Sequence, residues 1–412
     1  MRSTGFDDGD DRPNPESEIF VTTSFETLGV STDLVAALRR DGIETPFPIQ
    51  AITVPDALAG RDLCGKAKTG SGKTLAFGLP LIERVSKAEP RHPTGLVLTP
   101  TRELANQVYG VLGPLAHERG RSVVAVYGGV GFEPQIDALK RGVDIVVGTP
   151  GRLIDLMERG EVSFDLVEVL VLDEADRMAD MGFMPQVQKI LYRMDSDHQT
   201  MLFSATLDGA VKQLVNRYMH DPVFHEVESD EPTVEEMEHR FLYVHDMDKV
   251  KVAAAIARGV PRTLMFCNTK RMADRLVREL RKEGVTAAPI HGDLGQAARE
   301  RSLADFQAGK VPVLVATDVA ARGIHVDSVD VVVHYDPTDD HKAYLHRSGR
   351  TARAGEAGVA VTLMRWNEEN DVRTVQRRLG LSLPIIEVFS NDPRLADLRD
   401  WDTSSDAEVV SA

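Results

Sequence analysis

Short, nearly uninterrupted apolar runs alternate with helical patterns along this chain, and they do so twice. The runs at 62–66, 95–99, 122–127, 143–147, 167–172 and 200–203 are rich in β-branched residues and are separated by polar or helical segments. A second series follows at 240–244, 263–267, 286–290, 312–316, 329–333 and 358–363. Strands apolar on both faces and joined by helices specify a parallel sheet covered on both sides. The chain is therefore expected to form two tandem α/β domains, each a mostly parallel sheet with helices on both faces. Residues 25–225 and 239–383 are the predicted domains. An acidic extension at 1–24, expected to be disordered, an acidic linker at 226–238 and an acidic tail at 384–412 account for the rest. No run of about 18 apolar residues exists, so no membrane helix is expected. The acidic start lacks a secretory pattern, which points to the cytoplasm. Cys64 and Cys267 lie in apolar stretches without partners at metal-ligand spacing and are read as buried small hydrophobes.

The net charge of −16 argues at first against a polyanionic partner. Its distribution removes the objection. Residues 1–18, 226–238 and 384–412 carry −4, −7 and −5, which is the whole of it. The body of the chain is neutral, and screening confines charge effects to about 8–10 Å.

Ala67-Lys-Thr-Gly-Ser-Gly-Lys-Thr74 follows a predicted strand and precedes a predicted helix, the context of a phosphate-binding P-loop. Ala67 replaces the usual first Gly. Lys68, Thr69, Gly70, Ser71 and Gly72 would wrap the phosphates with backbone amides, Lys73 would reach the terminal phosphates, and Thr74 would hold Mg2+. The apolar strand before Asp173 then delivers an acid to bind Mg2+ through water, with Glu174 next to it to orient or deprotonate the attacking water. A Gly-rich turn with a surface Lys and a solvated acidic helix start are the plain alternatives. The order strand, loop, helix and later strand-plus-acid favours the phosphate site.

At Asp173-Glu-Ala-Asp176 the sequence resembles the DEAD-box ATP-dependent RNA helicases, in the form of a bare bacterial core, over about residues 25–383. The resemblance implies two RecA-like P-loop domains. Gly42-Ile-Glu-Thr-Pro-Phe-Pro-Ile-Gln50 is similar to the family's adenine-reading segment. It implies that Gln50 pairs with the adenine edge, that Thr45 lies in the ATP site and that Phe25 stacks near the base. Pro100-Thr-Arg102, Gly129 and Thr149-Pro-Gly-Arg152 follow predicted strands and match segments that contact RNA phosphates and sugars. So do Asn268, Gly292 and Thr317 in the second half. Gly128-Gly-Val-Gly131 is too incomplete for a dinucleotide site. The resemblance makes Asp176, Ser204, Thr206 and His346 the residues that couple ATP state to RNA. It makes Arg350 and Arg353 the arginines that reach the γ-phosphate, a role typically worth about 10³–10⁵ in rate.

One residue departs from the pattern. His325 stands where the family has an Asp that contacts the ATP ribose, so weaker, pH-sensitive ATP binding is expected. The expected activity is RNA-dependent ATP hydrolysis coupled to unwinding of short RNA duplexes, with ATP and Mg2+ as cofactors. RNA would be held by its backbone with little sequence preference, by a monomer. Ribosome-assembly or RNA-decay proteins are possible partners. An ATP-gated RNA clamp, a non-enzymatic scaffold and a DNA helicase are the competing readings.

Overall fold

The computed structural model describes residues 23–67, 71–195, 197–227, 237–318, 329–351, 358–399 and 401. The chain divides into two compact units between Ser229 and Asp230. In the first, the strands are β1 (Leu63–Lys66), β2 (Gly95–Leu98), β3 (Val123–Val126), β4 (Ile145–Gly148), β5 (Val169–Asp173), β6 (Gln199–Ser204) and β7 (Val223–Glu226). They form one sheet in the order β3-β4-β2-β5-β6-β1-β7, every pair parallel.

Alternation along each strand divides its side chains between two cores. Val97, Val171, Met201 and Leu63 point to one face, where Phe77, Leu112, Leu34 and Ile49 cover them. Leu96, Leu98, Leu170, Leu172 and Leu202 point to the other, against Leu153, Met178 and Val187. Parallel pairing follows because each strand is fully buried and needs a helical crossover to reach the next.

The second unit contains β8 (Glu238–Tyr243), β9 (Thr263–Cys267), β10 (Ala287–Ile290), β11 (Val313–Thr317), β12 (Val331–His334), β13 (Val359–Met364) and β14 (Ile385–Glu387). Their order is β10-β11-β9-β12-β13-β8-β14, again all parallel. Twelve strands lie within two residues of the predicted runs. The sequence reading missed β7 and β14, one edge strand of each sheet.

The segment read as an acidic tail from 384 needs correction. β14 pairs with β8, and Ile386, Val388, Leu395, Leu398 and Trp401 are buried in the core of the second unit. Arg240 Nη2 donates to the carbonyls of Leu398 (3.3 Å) and Trp401 (3.0 Å), and the Arg394 guanidinium lies 4.5 Å from the Trp401 ring centre. Gly259 accommodates this return, since a Cβ there would sit 2.3 Å from the Ala396 carbonyl oxygen. The domain therefore reaches at least Trp401. Most of the linker lies outside the described residues, as does the extension except for Thr23 and Ser24. Both cysteines are buried thiols.

Candidate active site

Parallel strands bring all their carboxyl ends to one edge of the sheet, where ligands of open α/β folds bind. In the first unit that edge is sorted by strand order. The segments assigned to RNA follow β3, β4 and β2, three neighbours, and the segments assigned to the phosphates or to coupling follow β5, β6 and β1, the next three.

On the nucleotide side, β1 runs into Ala67, whose N–H donates to the Ser204 carbonyl at the end of β6 (3.1 Å). Beyond Ala67, Gly72 caps the helix Lys73–Arg84 with φ +86°. A Cβ on Gly72 would lie 2.5 Å from both Gln50 Nε2 and Phe47 Cδ2, so both conformation and space demand glycine. Lys73 is buried and its ammonium donates to the Ala67 carbonyl at 2.8 Å. Thr74 is half-buried in the first turn. Lys68, Thr69, Gly70, His325 and Arg353 lie outside the described residues.

Asp173 ends β5 with 3% of its surface exposed, and its Oδ1 makes no hydrogen bond among the described residues. Burial pushes its carboxyl up to about 7. Lys73 opposes that rise, and Glu174 and Asp176 add to it. Glu174 adopts a left-handed backbone, φ +52°, and its carboxylate is ion-paired with Arg177 one turn on. Asp176 ties the next strand in. Its N–H donates to Ser204 Oγ (3.1 Å), and its Oδ2 accepts from the Ala205 N–H (3.2 Å). Thr206 is exposed.

Two readings of the base-binding segment change. Phe25 is 1% exposed and packed in the core, so it offers no stacking surface. An isolated aromatic in a turn is as well satisfied by burial as by a ligand. Gln50 is also buried, and its amide is used internally. Oε1 accepts from Phe47 N–H at 2.8 Å and Nε2 donates to the Gly72 carbonyl at 2.9 Å. One N–H and one lone pair remain for adenine. Thr45 and Phe47 are exposed.

On the RNA side, Pro100 and Thr101 are buried, and Thr101 Oγ1 caps the helix Arg102–Glu118 by accepting from the Leu104 N–H. Arg102 donates to the Gly128 carbonyl (3.1 Å) across the left-handed Gly129. Thr149 precedes the helix Pro150–Glu158 without a side-chain capping bond. Arg152, expected to face phosphate, is instead buried. It donates to Gln135 Oε1 (3.2 Å) and the Val130 carbonyl (2.8 Å) and lies 4.0 Å from the Phe132 ring centre. Its fork braces the loop after β3.

In the second unit, Asn268, Gly292 and Thr317 follow or end β9, β10 and β11, again three neighbours. Thr317 is buried. Arg347, to which sequence reasoning gave no role, organises this edge. Its guanidinium grips both Asp318 oxygens (2.6 and 2.7 Å), the Asp336 carbonyl (2.8 Å) and Asn268 Oδ1 (2.9 Å). Arg177 was missed likewise. The signal for both was adjacency: each lies within three residues of an acid or histidine already singled out. Next to Arg347, His346 is exposed on the helix His341–Ser348, and the backbone of Arg350 is fixed by bonds to Arg347 and Val329.

Comparison with known proteins agrees with this geometry. The chain matches the DEAD/DEAH box helicase family over residues 47–214 and the helicase conserved C-terminal domain over residues 248–355. It is 40% identical over 359 residues to the DEAD-box ATP-dependent RNA helicase CshA of Bacillus licheniformis, covering 87% of this chain and 74% of the relative. It is 42% identical to the ATP-dependent RNA helicase CshA of Listeria monocytogenes over 86% and 68%. Among solved structures, Saccharomyces cerevisiae Dbp5 bound to RNA and ADP BeF3 aligns with TM-score 0.75 at 30% identity, over 90% of this chain and 96% of that one.

Proposed function

This chain belongs to the DEAD-box family of ATP-dependent RNA helicases, and from that premise we propose how its residues divide the work. It is an RNA-dependent ATPase and RNA helicase; the finer reading is one of local remodelling. The observation that carries it is the sorted sheet edge: the P-loop, acidic and coupling segments after β1, β5 and β6 beside the proposed strand-binding loops after β3, β4 and β2. Asp176 bonds the acidic loop to Ser204 and Ala205, so a change at the nucleotide has a short path into the rest of the edge.

In this reading Lys73 and the amides of Ser71 and Gly72 bind the phosphates, and the proposed Lys68–Gly70 segment completes the loop. Glu174, aimed by Arg177, orients water and receives its proton. Arg350 and Arg353 stabilise charge on the transferred phosphoryl group. Asp173 and Thr74 suit Mg2+, because Asp173 presents a buried carboxylate oxygen free of hydrogen bonds among the described residues. Bound there, the ion would neutralise charge on the phosphate oxygens. RNA is held through Arg102, Gly129, Thr149, Asn268 and Gly292, chiefly along its backbone, by a monomer acting on short duplexes.

The test is ATP turnover with and without RNA, and with DNA, alongside displacement of a short RNA duplex. RNA stimulates turnover, DNA does not, and Glu174→Gln removes both activities. Turnover indifferent to RNA would refute the coupling. RNA-stimulated turnover with ATP-dependent RNA retention and no displacement would favour a clamp.

A further inference from the structure

We propose that Phe47 is the aromatic surface on which the base of the bound nucleotide lies, a role the buried Phe25 cannot fill. The inference rests on the ATPase reading above and names a binding residue within it. Phe47 is 57% exposed, whereas Phe25 is 1% exposed. A large apolar ring left in water is unremarkable alone, but its position is specific. Its ring edge lies against Gly72, with Cδ2 only 2.5 Å from where a Cβ would be. Its own N–H donates to Gln50 Oε1, and Gln50 Nε2 donates to the Gly72 carbonyl. Phe47, Gln50 and the helix cap of the phosphate loop thus form one unit. Because Phe47 is bonded to Gln50 and touches Gly72, a nucleotide spanning the amides at Ser71–Lys73 and the Gln50 amide would lay its base beside this ring. Pro46 and Pro48 flank Phe47, and Pro48 begins the helix Pro48–Leu58, so the backbone is stiff and little entropy is lost on stacking. Stacking tolerates every base, so Phe47 supplies affinity and the Gln50 amide supplies selection.

The experiment measures binding of ADP, GDP and inorganic tripolyphosphate by calorimetry to the full chain and to Phe47→Ala. The backbone bond to Gln50 survives this substitution. ADP and GDP should each bind about 5- to 100-fold more weakly, the range expected for loss of one base–aromatic stack, and tripolyphosphate should bind unchanged. KM for ATP should rise in step while RNA-stimulated kcat stays within about threefold. Phe47→Trp should restore affinity, and in a Trp366→Phe background its emission should fall on adding ADP. Equal weakening of ADP and tripolyphosphate would reduce Phe47 to a prop for the phosphate loop, and unchanged ADP binding would also overturn the proposal. In both cases RNA-stimulated turnover of the unaltered chain would leave the ATPase reading standing; its absence would instead remove that reading.

Discussion

The two units carry the same strand order, but only the first carries the P-loop sequence and the Asp173–Asp176 segment. Numbered within its own unit, each sheet runs 3-4-2-5-6-1-7. Each first strand leads to a helix that begins with a buried lysine, Lys73 after β1 and Lys249 after β8. Each fifth strand delivers an aspartate, Asp173 at the end of β5 and Asp336 just after β12. What differs is the counter-charge. Lys73 is next to a glycine-capped loop, donates to the Ala67 carbonyl and acts on the buried Asp173. Lys249 lies 3.7 Å from Glu368 and 5.0 Å from the Tyr335 ring centre, and burial together with the neighbouring Arg365 pulls its pKa down against Glu368 and Asp336. In the second unit Glu368, which Arg365 also holds, stands beside the lysine, whereas the first unit places its lysine between a glycine-capped loop and Asp173. Topology places the lysine, and the loop decides what it binds.

The sharpest way to break this contrast is to remove each lysine. Lys73→Ala should lower RNA-stimulated turnover by at least about 100-fold, the scale of losing one preorganised donor to the reacting charge. Lys249→Met should leave turnover within about threefold. Steady-state ATPase assays with saturating RNA measure both. A comparable loss in the two variants would mean that the second unit's lysine also serves the reaction.

A second contrast lies in the chain's two tryptophans. Trp401 is 5% exposed and Trp366 is 75% exposed. Trp401→Ala should cost about 3–5 kcal/mol through the cavity it leaves, and Trp366→Ala within about 0.5 kcal/mol. Urea unfolding monitored by circular dichroism reads both, and equal effects would return residues 384–401 to the status of a tail. These residues also mark where the sequence stopped being legible. Central strands such as Val169–Leu172 announce themselves because burial on both faces leaves only apolar residues. β14 is three residues long and ends on Glu387, and with Asn391 and Asp392 close behind, the segment has the look of solvent. Motif residues were readable by type and spacing, but whether a side chain faces in or out was not. Phe25 and Arg152 face in, and Phe47 faces out. Facing depends on partners such as Gln135 and Gly72, far off in sequence.

Asp173 offers a third test, because the two aspartates differ in their settings. Its folded carboxyl titrates near 7, and an unfolded Asp near 3.9. The folded state therefore holds the extra proton between those values. Asp173's contribution to stability is fully present below about pH 4, falls as pH rises through the window, and is lost above about 7. Asp173→Asn lacks the burial cost of the charge. It should be about 2–4 kcal/mol more stable than the parent above pH 7, with the advantage fading toward pH 4. Thermal melts without nucleotide across pH 4–8 check this. A pH-independent difference would show that burial does not hold the proton on Asp173.

The smallest effect is the most telling about the second unit. Lys249 Nζ is buried and makes no hydrogen bond among the described residues, so its ammonium is stabilised only through space. Glu368 does not depend on it. Arg365 donates to Glu368 through its backbone N–H (2.8 Å) and its guanidinium (2.5 Å), and holds the carboxyl below the ordinary range together with Lys249. Lys249→Met therefore removes a costly buried charge, keeps the packing on Tyr335, and leaves no carboxylate alone. Its stability should stay within about 1 kcal/mol of the parent, since a buried ion replaced by an apolar side chain of similar size is often neutral or better. A loss of about 3–5 kcal/mol, the scale of breaking a buried pair, would show that Glu368 and Asp336 need the lysine. The second unit would then have replaced phosphate with a salt bridge it cannot do without.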